Sequence, residues 1–255
     1  MSTVTGSLEV IPVVSAIPSS VEEAATLLDA FIEKFLSVAD FLEIKSEEVH
    51  AYGKFVYIGE KGKDFPIMAI ANQNSSSYYK SSVLMSTIGL DGKISVSYSG
   101  NSFSSPVYNS FSVPISTSYS CGMKYMKTSK GMIFGFYQGI GNPYVTGMLT
   151  PMVTEGVEGE FINFAITTGK IFGFSYIPHG VFSDIYINIP TVTGLMIPSG
   201  KRALTDVFVP YDNSFPYLKL FSTFFSSLKK FETDGKKYTQ AYAVSGYWSL
   251  VMEID

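Results

Sequence analysis

Residues 83–98, VLMSTIGLDGKISVSY, carry the pattern that decides the fold class. An apolar run precedes Asp91-Gly92, and Ile94, Val96 and Tyr98 then alternate with serines. Alternation of period two is typical of a half-buried β-strand, and Asp-Gly supplies the positive φ angles that a tight type I′ turn requires. The stretch therefore predicts a β-hairpin.

The same pattern continues through most of the chain after His50. Residues 52–58 alternate in period two, and a second pair, Asp234-Gly235, separates residues 228–233 from residues 236–243. Tyrosine, phenylalanine, threonine and valine, which favour strands, are common throughout this region. The sequence thus predicts a mainly β protein made of antiparallel sheets, arranged as a sandwich or a barrel.

Residues 21–42 depart from this pattern and predict one amphipathic α-helix. Ser20 and Glu23 have the spacing of a capping box. From Ala24 to Leu42, apolar residues recur three and four positions apart. The apolar side of such a helix needs a partner surface, which either the chain's own sheet or another subunit can supply.

The predicted elements divide the chain into an N-terminal part, residues 1–49, and a β-rich domain, residues 50–255. Besides the helix, the N-terminal part contains residues 9–18, an extended arm whose limits are marked by Pro12 and Pro18. The arm is apolar and long enough to cross to a neighbouring subunit.

Residues 215–231 fit two structures. Their apolar residues have helical spacing after Ser214 and Pro216, whereas their aromatic content suits a strand. The spacing favours a helix.

Two short sequence motifs recur in the β-rich domain. The pattern G-x-I-F-G-F occurs at residues 131–136 and 169–174, and V-T-G-x-x-x-P occurs at residues 145–151 and 192–198. Their common order favours a duplicated β-unit, around residues 119–151 and again around residues 160–198. Chance recurrence in a chain rich in phenylalanine and glycine is the alternative. Gly135 and Gly173 lie inside these apolar strands and predict bulges or close backbone approach.

Composition excludes several classes of protein. The chain has 255 residues, a net charge of −4 and 46% hydrophobic residues, a balance that excludes disorder. Its apolar runs are too short to span a membrane, and no secretory signal begins the sequence as written. Acidity, with Arg202 as the only arginine, excludes a nucleic-acid surface, and the single Cys121 excludes an intrachain disulfide.

No residue pattern indicates catalysis. The sequence therefore predicts no catalytic, cofactor-binding or metal-binding residues. His50 and His179 are the only histidines, no G-x-S-x-G motif is present, and Cys121 is interpreted as a buried small hydrophobic residue. The carboxylates that would have to converge in a glycosidase-like enzyme are placed in loops: Glu160, Asp184, Asp206 and Asp212. Lysines at 124, 127, 130, 229, 230, 236 and 237 are spaced as edge and turn lysines, which discourage sheet aggregation. A groove that binds a polyanion is the alternative, and the overall acidity disfavours it.

Three stretches resemble tail or baseplate-associated virion proteins of tailed bacteriophages. They are residues 104–136, SSPVYNSFSVPISTSYSCGMKYMKTSKGMIFGF, the V-T-G-x-x-x-P turn, and residues 231–242, FETDGKKYTQAY. The resemblance covers about half of the chain. It implies a repeated structural subunit that assembles without cofactors.

The function expected from the sequence is therefore that of a non-enzymatic structural subunit of a phage virion. It would belong to the tail, the baseplate or the head–tail connection, be made in the host cytoplasm, and have copies of itself and neighbouring virion proteins as partners. A low charged fraction of 16% agrees with a surface covered by neighbours. The main alternative is a glycan-binding module or adhesin, in which tyrosine- and phenylalanine-rich loops stack on a host glycan.

Overall fold

A computed structural model gives the fold, and it describes most but not all of the chain. The described residues are 2–50, 53–64, 66–75, 78–87, 97–99, 102–104, 110–139, 145–154, 161–168, 171–175, 185–186, 204–209, 213–221, 230–245 and 248–255. They contain one helix, α1 (Val21–Val38), and nineteen strands. The strands are β1 (Val4–Ile11), β2 (Leu42–His50), β3 (Gly53–Glu60), β4 (Met68–Ser75), β5 (Tyr78–Thr87), β6 (Ser97–Ser99), β7 (Ser102–Ser104), β8 (Ser110–Pro114), β9 (Cys121–Thr128), β10 (Gly131–Gln138), β11 (Val145–Thr154), β12 (Phe161–Thr168), β13 (Ile171–Ser175), β14 (Ile185–Tyr186), β15 (Leu204–Val209), β16 (Asn213–Phe221), β17 (Lys230–Thr233), β18 (Lys236–Ser245) and β19 (Trp248–Ile254).

The described strands form three open sheets, and they pair antiparallel throughout. The largest sheet has twelve strands along the path β1-β9-β10-β11-β16-β19-β18-β17, with β12, β13, β14 and β15 off this path. A five-stranded sheet has the order β2-β3-β4-β5-β8, and β6 and β7 form a separate pair. The prediction of a mainly β, antiparallel fold with one N-terminal helix is confirmed.

The helix begins where the sequence predicts. Ser20 is the N-cap, and its Oγ accepts a hydrogen bond of 3.1 Å from the backbone N–H of Glu23. The Glu23 carboxylate accepts a 2.7 Å hydrogen bond from the N–H of Ser19, which is one residue earlier than in a standard capping box. The predicted end is wrong, because α1 stops at Val38 and Leu42 already starts β2. The apolar spacing continues past Val38 because Leu42 enters the same core as part of a strand.

The apolar side of α1 packs within its own chain, between the two larger sheets. The buried helix residues are Ala24, Leu28, Phe31, Ile32, Phe35 and Val38. On one side, Phe31 and Phe35 contact Phe136 and Phe134 of β10, with ring centroids 5.7 and 5.4 Å apart. On the other side, the helix contacts β3 and β4. The partner surface that the helix requires is therefore intramolecular.

Part of the predicted arm over residues 9–18 belongs to the molecule's own sheet, because residues 9–11 end β1, whereas residues 12–18 follow it outside any strand. Residues 4–11 form β1, which pairs along β9 from Val4 opposite Lys127 to Ile11 opposite Cys121. Val10 and Ile11 are buried at 1% exposure. The periodicity of so short a segment gave no sign of a partner strand more than a hundred residues away.

Of the two predicted hairpins, one is confirmed and one is wrong. Asp234 and Gly235 have φ angles of 52° and 71°, as a type I′ turn requires, and join β17 to β18. The first hairpin fails because β4 and β8 take the two sides of β5 along residues 83–86, which leaves no side for the predicted partner. The turn predicted at Asp91-Gly92 lies outside the described residues.

The helix predicted over residues 215–231 is wrong at both ends, since residues 215–221 belong to β16 and residues 230–231 to β17. Asn213–Phe221 is the strand β16, which pairs with β15 and β19. Residues 222–229 lie outside the described part of the chain. Pairing on both sides of β16 outweighs the local helical spacing.

The two copies of the G-x-I-F-G-F motif occupy comparable positions, each in a strand that has a partner strand on both sides. Its first copy is in β10, between β9 and β11, and residues 171–174 of the second are in β13, between β12 and β14. Gly135 and Gly173 pair in continuous register, so the bulges predicted there are absent from these described strands. The second V-T-G-x-x-x-P, residues 192–198, lies outside the described residues.

The boundary proposed between residues 49 and 50 falls at the end of β2, beside its partner strand. β2 pairs with β3 from Leu42 opposite Glu60 to His50 opposite Gly53. One hydrophobic core joins side chains of β1, α1 and both larger sheets.

Candidate interaction surfaces

The side chains that sequence patterns raised for catalysis are scattered where the structure describes them. Cys121 is a buried free thiol in β9, as its interpretation as a small hydrophobic residue predicts. His50 is the last residue of β2, and Asp206 lies in the strand β15 rather than in a loop. The remaining candidates are outside the described residues: His179, Glu160, Asp184 and Asp212. Within the described ranges, no group of three or more His, Cys, Asp and Glu side chains could hold a metal ion.

One buried carboxylate joins the end of the chain to the β9–β10 turn. Glu253 has a side chain only 8% exposed, and its oxygens lie 2.7 Å from Lys130 Nζ and 2.9 Å from Lys236 Nζ. Burial by itself raises the pKa of Glu253, but the hydrogen bonds from the two lysines outweigh burial and hold that pKa below its ordinary value. Next to it, Asp255 accepts bonds of 3.1 Å and 2.5 Å from the N–H and Oγ of Ser129. The cluster is structural, since its charges compensate one another.

A second ionic cluster fixes β3 beneath the helix. Lys54 Nζ lies 2.7 Å from Asp29 of α1 and 2.9 Å from Glu47 of β2. Burial lowers the pKa of Lys54, and the bonds to the two carboxylates more than offset this, so the pKa is raised above its ordinary value. Lys54 therefore remains charged and holds three elements together.

The lysines predicted at sheet edges and turns fit that prediction only in part where they are described. Lys124 and Lys127 belong to β9, which lies between β1 and β10 and is not an edge strand. Lys127 pairs with Asp40, just after the helix, and Lys124 Nζ lies 5.1 Å from the centroid of the Tyr137 ring. Three lysines do fit the prediction: Lys130 lies in the β9–β10 turn, Lys236 follows the Asp234-Gly235 turn, and Lys230 starts β17, the last strand on the sheet's path.

Two tyrosines form a small aromatic patch near one end of β9 and β10. Tyr119 is 59% exposed, and its ring lies beside Gly139. Tyr137 is half-buried and lies across Gly122, the residue opposite it in the sheet. Most other described aromatic side chains with assigned burial belong to the core. This patch is the part of the described surface where a sugar ring could stack.

Among the residues whose burial the structure describes, large exposed apolar side chains are most frequent in β1, β2 and the segment after β1. Six are present among the described residues: Val4, Val13, Ile17, Ile44, Val49 and Tyr119. All but Tyr119 precede residue 50. Val4 is 50% exposed at the start of β1, where it borders an open cavity of about 370 Å³ that also touches Val38 and Tyr125. No spacing in the sequence marks these side chains as exposed, because exposure depends on which strands end each sheet.

No helix in the described part of the chain has the length and apolar character that a membrane span requires. Comparison with protein-family models, with curated proteins and with solved structures finds no match to this chain. The functional argument therefore depends on the residues and surfaces described above.

Proposed function

We propose that this chain is a non-enzymatic structural subunit of a phage virion, in the tail, the baseplate or the head–tail connection, and that it assembles in multiple copies. The observation that carries the proposal is the set of exposed apolar side chains in β1 and the segment after it. Val4, Val13 and Ile17 belong to one stretch formed by β1 and the segment after it, and each is at least 36% exposed. Apolar side chains exposed along one segment are available for contact with another protein.

Sequence features add support for the virion assignment. The resemblance of residues 104–136 and 231–242 to virion proteins indicates the kind of particle, and the low charged fraction of 16% agrees with extensive subunit contacts. The helix gives no such support, because its apolar side packs against the chain's own sheets. The exposed apolar side chains and the sheet edges thus provide the physical basis for assembly.

The native mass of the purified protein over a dilution series tests the assembly. Light scattering and native mass spectrometry should show oligomers at high concentration that dissociate on dilution. A chain that remains a monomer throughout the series would contradict assembly with itself. Quantitative mass spectrometry of purified virions tests the second half of the proposal, which expects this chain among the abundant components.

A second candidate function is glycan binding, which the aromatic patch of Tyr119 and Tyr137 favours. An exposed tyrosine ring offers an apolar face and a hydroxyl, the combination that aromatic contacts to partly polar partners use. Gly122 carries no side chain that would displace the Tyr137 ring lying across it.

Binding to a glycan array distinguishes this candidate from the first. Tyr119→Ala and Tyr137→Ala should each abolish binding if the patch is the site, while Tyr217→Ala, at a half-buried tyrosine beside Lys130, should leave binding intact. Absence of any glycan signal from the unaltered protein would dismiss the candidate.

A further inference from the structure

We infer that two copies of this chain join through β1, whose edges pair antiparallel about a two-fold axis that passes beside Gly6. The inference rests on the proposed function and names its partner, a second copy of the chain. Among the described strands, only β9 pairs with β1, so every second residue of β1 directs its N–H and C=O away from the sheet. A second extended strand can accept and donate hydrogen bonds there.

The other described edge strands carry the features that block such pairing. Natural edges are protected by bulges, charges, proline or short length. β2 has a bulge at Lys45 and carries Glu47 and Glu48, and β15 has a bulge after Asp206. β17 carries alternating Lys230 and Glu232, β8 is short and ends in Pro114, and β14 has two residues.

β1 lacks these protections over most of its length. Residues 4–8 are uncharged, the register with β9 is regular from Val4 to Glu9, and the bulge comes only between Glu9 and Ile11. Thr5, Ser7 and Glu9 are exposed. An edge of this kind is a site for strand pairing.

The sequence of β1 is complementary to itself when Gly6 lies on the two-fold axis. In that register, Val4 of one copy stands opposite Leu8 of the other, and Thr5 stands opposite Ser7. Apolar pairs and hydroxyl pairs both stabilise antiparallel sheets, and no like charges face each other. In β2 the regular segment would instead place Glu47 or Glu48 opposite itself, which disfavours self-pairing there.

The surroundings of Val4 agree with this arrangement. Val4 is 50% exposed beside the cavity that touches Val38 and Tyr125, on the helix side of the sheet. Leu8 of the second copy would stand opposite Val4 and extend the apolar contact toward this cavity. Pairing would thus cover exposed apolar surface as well as satisfy the backbone.

Two double variants at the same exposed positions test the register. In T5K/S7K, lysine faces lysine across the axis in both pairs, and we expect the dissociation constant of the dimer to rise by roughly tenfold or more. In T5K/S7E, lysine faces glutamate in both pairs, and the dimer should persist with an unchanged or lower constant. S46K on the edge of β2 is the matched control, and circular dichroism verifies that each variant folds.

Sedimentation of the full chain across a concentration series separates the outcomes. Dissociation by T5K/S7K alone supports pairing through β1. Oligomers that persist in both double variants would overturn pairing through β1 while leaving self-assembly intact, and equal dissociation of both would overturn the Gly6-centred register. An unaltered chain that stays a monomer would overturn this inference together with the self-assembly in the proposed function.

Discussion

At the scale of single residues, Tyr137 lies across a glycine on the neighbouring strand. A Cβ added at Gly122 would stand 2.5 Å from Tyr137 Oη, closer than such atoms approach in folded proteins. We therefore expect Gly122→Ala to lower the free energy of unfolding by about 1–3 kcal/mol, because the ring must leave its place on β9. Urea denaturation of Gly122→Ala, of Tyr137→Ala and of the double variant measures this. The alanine should cost much less once Tyr137 is absent, and additive losses would show that the ring is not the obstacle.

Glu253 is the residue through which pH should act on stability. Its pKa is lower in the folded protein than its ordinary value of 4.5, so its contribution is present above that value and is lost as pH falls through the folded pKa. Glu253→Gln should lower the free energy of unfolding at pH 7 by about 1–3 kcal/mol and flatten its decline below pH 4.5. Denaturation from pH 7 to pH 3 provides the measurement. Glu232→Gln, at an exposed position of β17, is the control, and an equal effect from both variants would contradict the role of the two lysines.

At the scale of elements, the N-terminus of α1 depends on one hydroxyl. Ser20→Ala removes the acceptor for the Glu23 N–H and should cost about 1 kcal/mol of stability. Ser37→Ala, at an exposed serine in the last turn of the same helix, should cost less than about 0.5 kcal/mol. Urea midpoints compare the two variants, and equal midpoints would show that Ser20 does not stabilise the helix.

The same scale shows which elements the sequence can predict. The start of α1 and the β17–β18 hairpin were predictable because a capping serine and an Asp-Gly turn act within a few residues. The first predicted hairpin was wrong and the pairing of residues 9–11 was missed, because β8 and β9, distant in the sequence, take the edges of β5 and β1. Long-range pairing leaves no local periodicity, so strand order was beyond the sequence.

The candidate surfaces depend even more on distant pairing. Lys130 and Glu253 are 123 residues apart, and no spacing brings them together before the sheet is known. The β1 edge is equally invisible in the sequence, since its uncharged residues 4–8 become an edge only when β9 takes their other side. Exposure of Val4 likewise follows from the ordering of strands.

At the scale of the whole molecule, one core unites the helix with both larger sheets, and a second cluster lies around Tyr238 and Val251. Phe31 is fully buried where the helix meets β10, so Phe31→Leu should lower the free energy of unfolding by about 1–3 kcal/mol. Because the core is shared, hydrogen exchange should quicken in β3 and β4 as well as in β9 and β10.

Val251→Ala offers the matched comparison, since it removes buried volume from the second cluster. Its effect on hydrogen exchange should be greatest in β17, β18 and β19 and small in the five-stranded sheet. If Phe31→Leu loosens only one of the two sheets, the helix does not join them into one cooperative unit. If both sheets respond together, the helix joins them into one cooperative unit. Because the helix also packs on β1, both sheets then stabilise the strand through which two subunits pair.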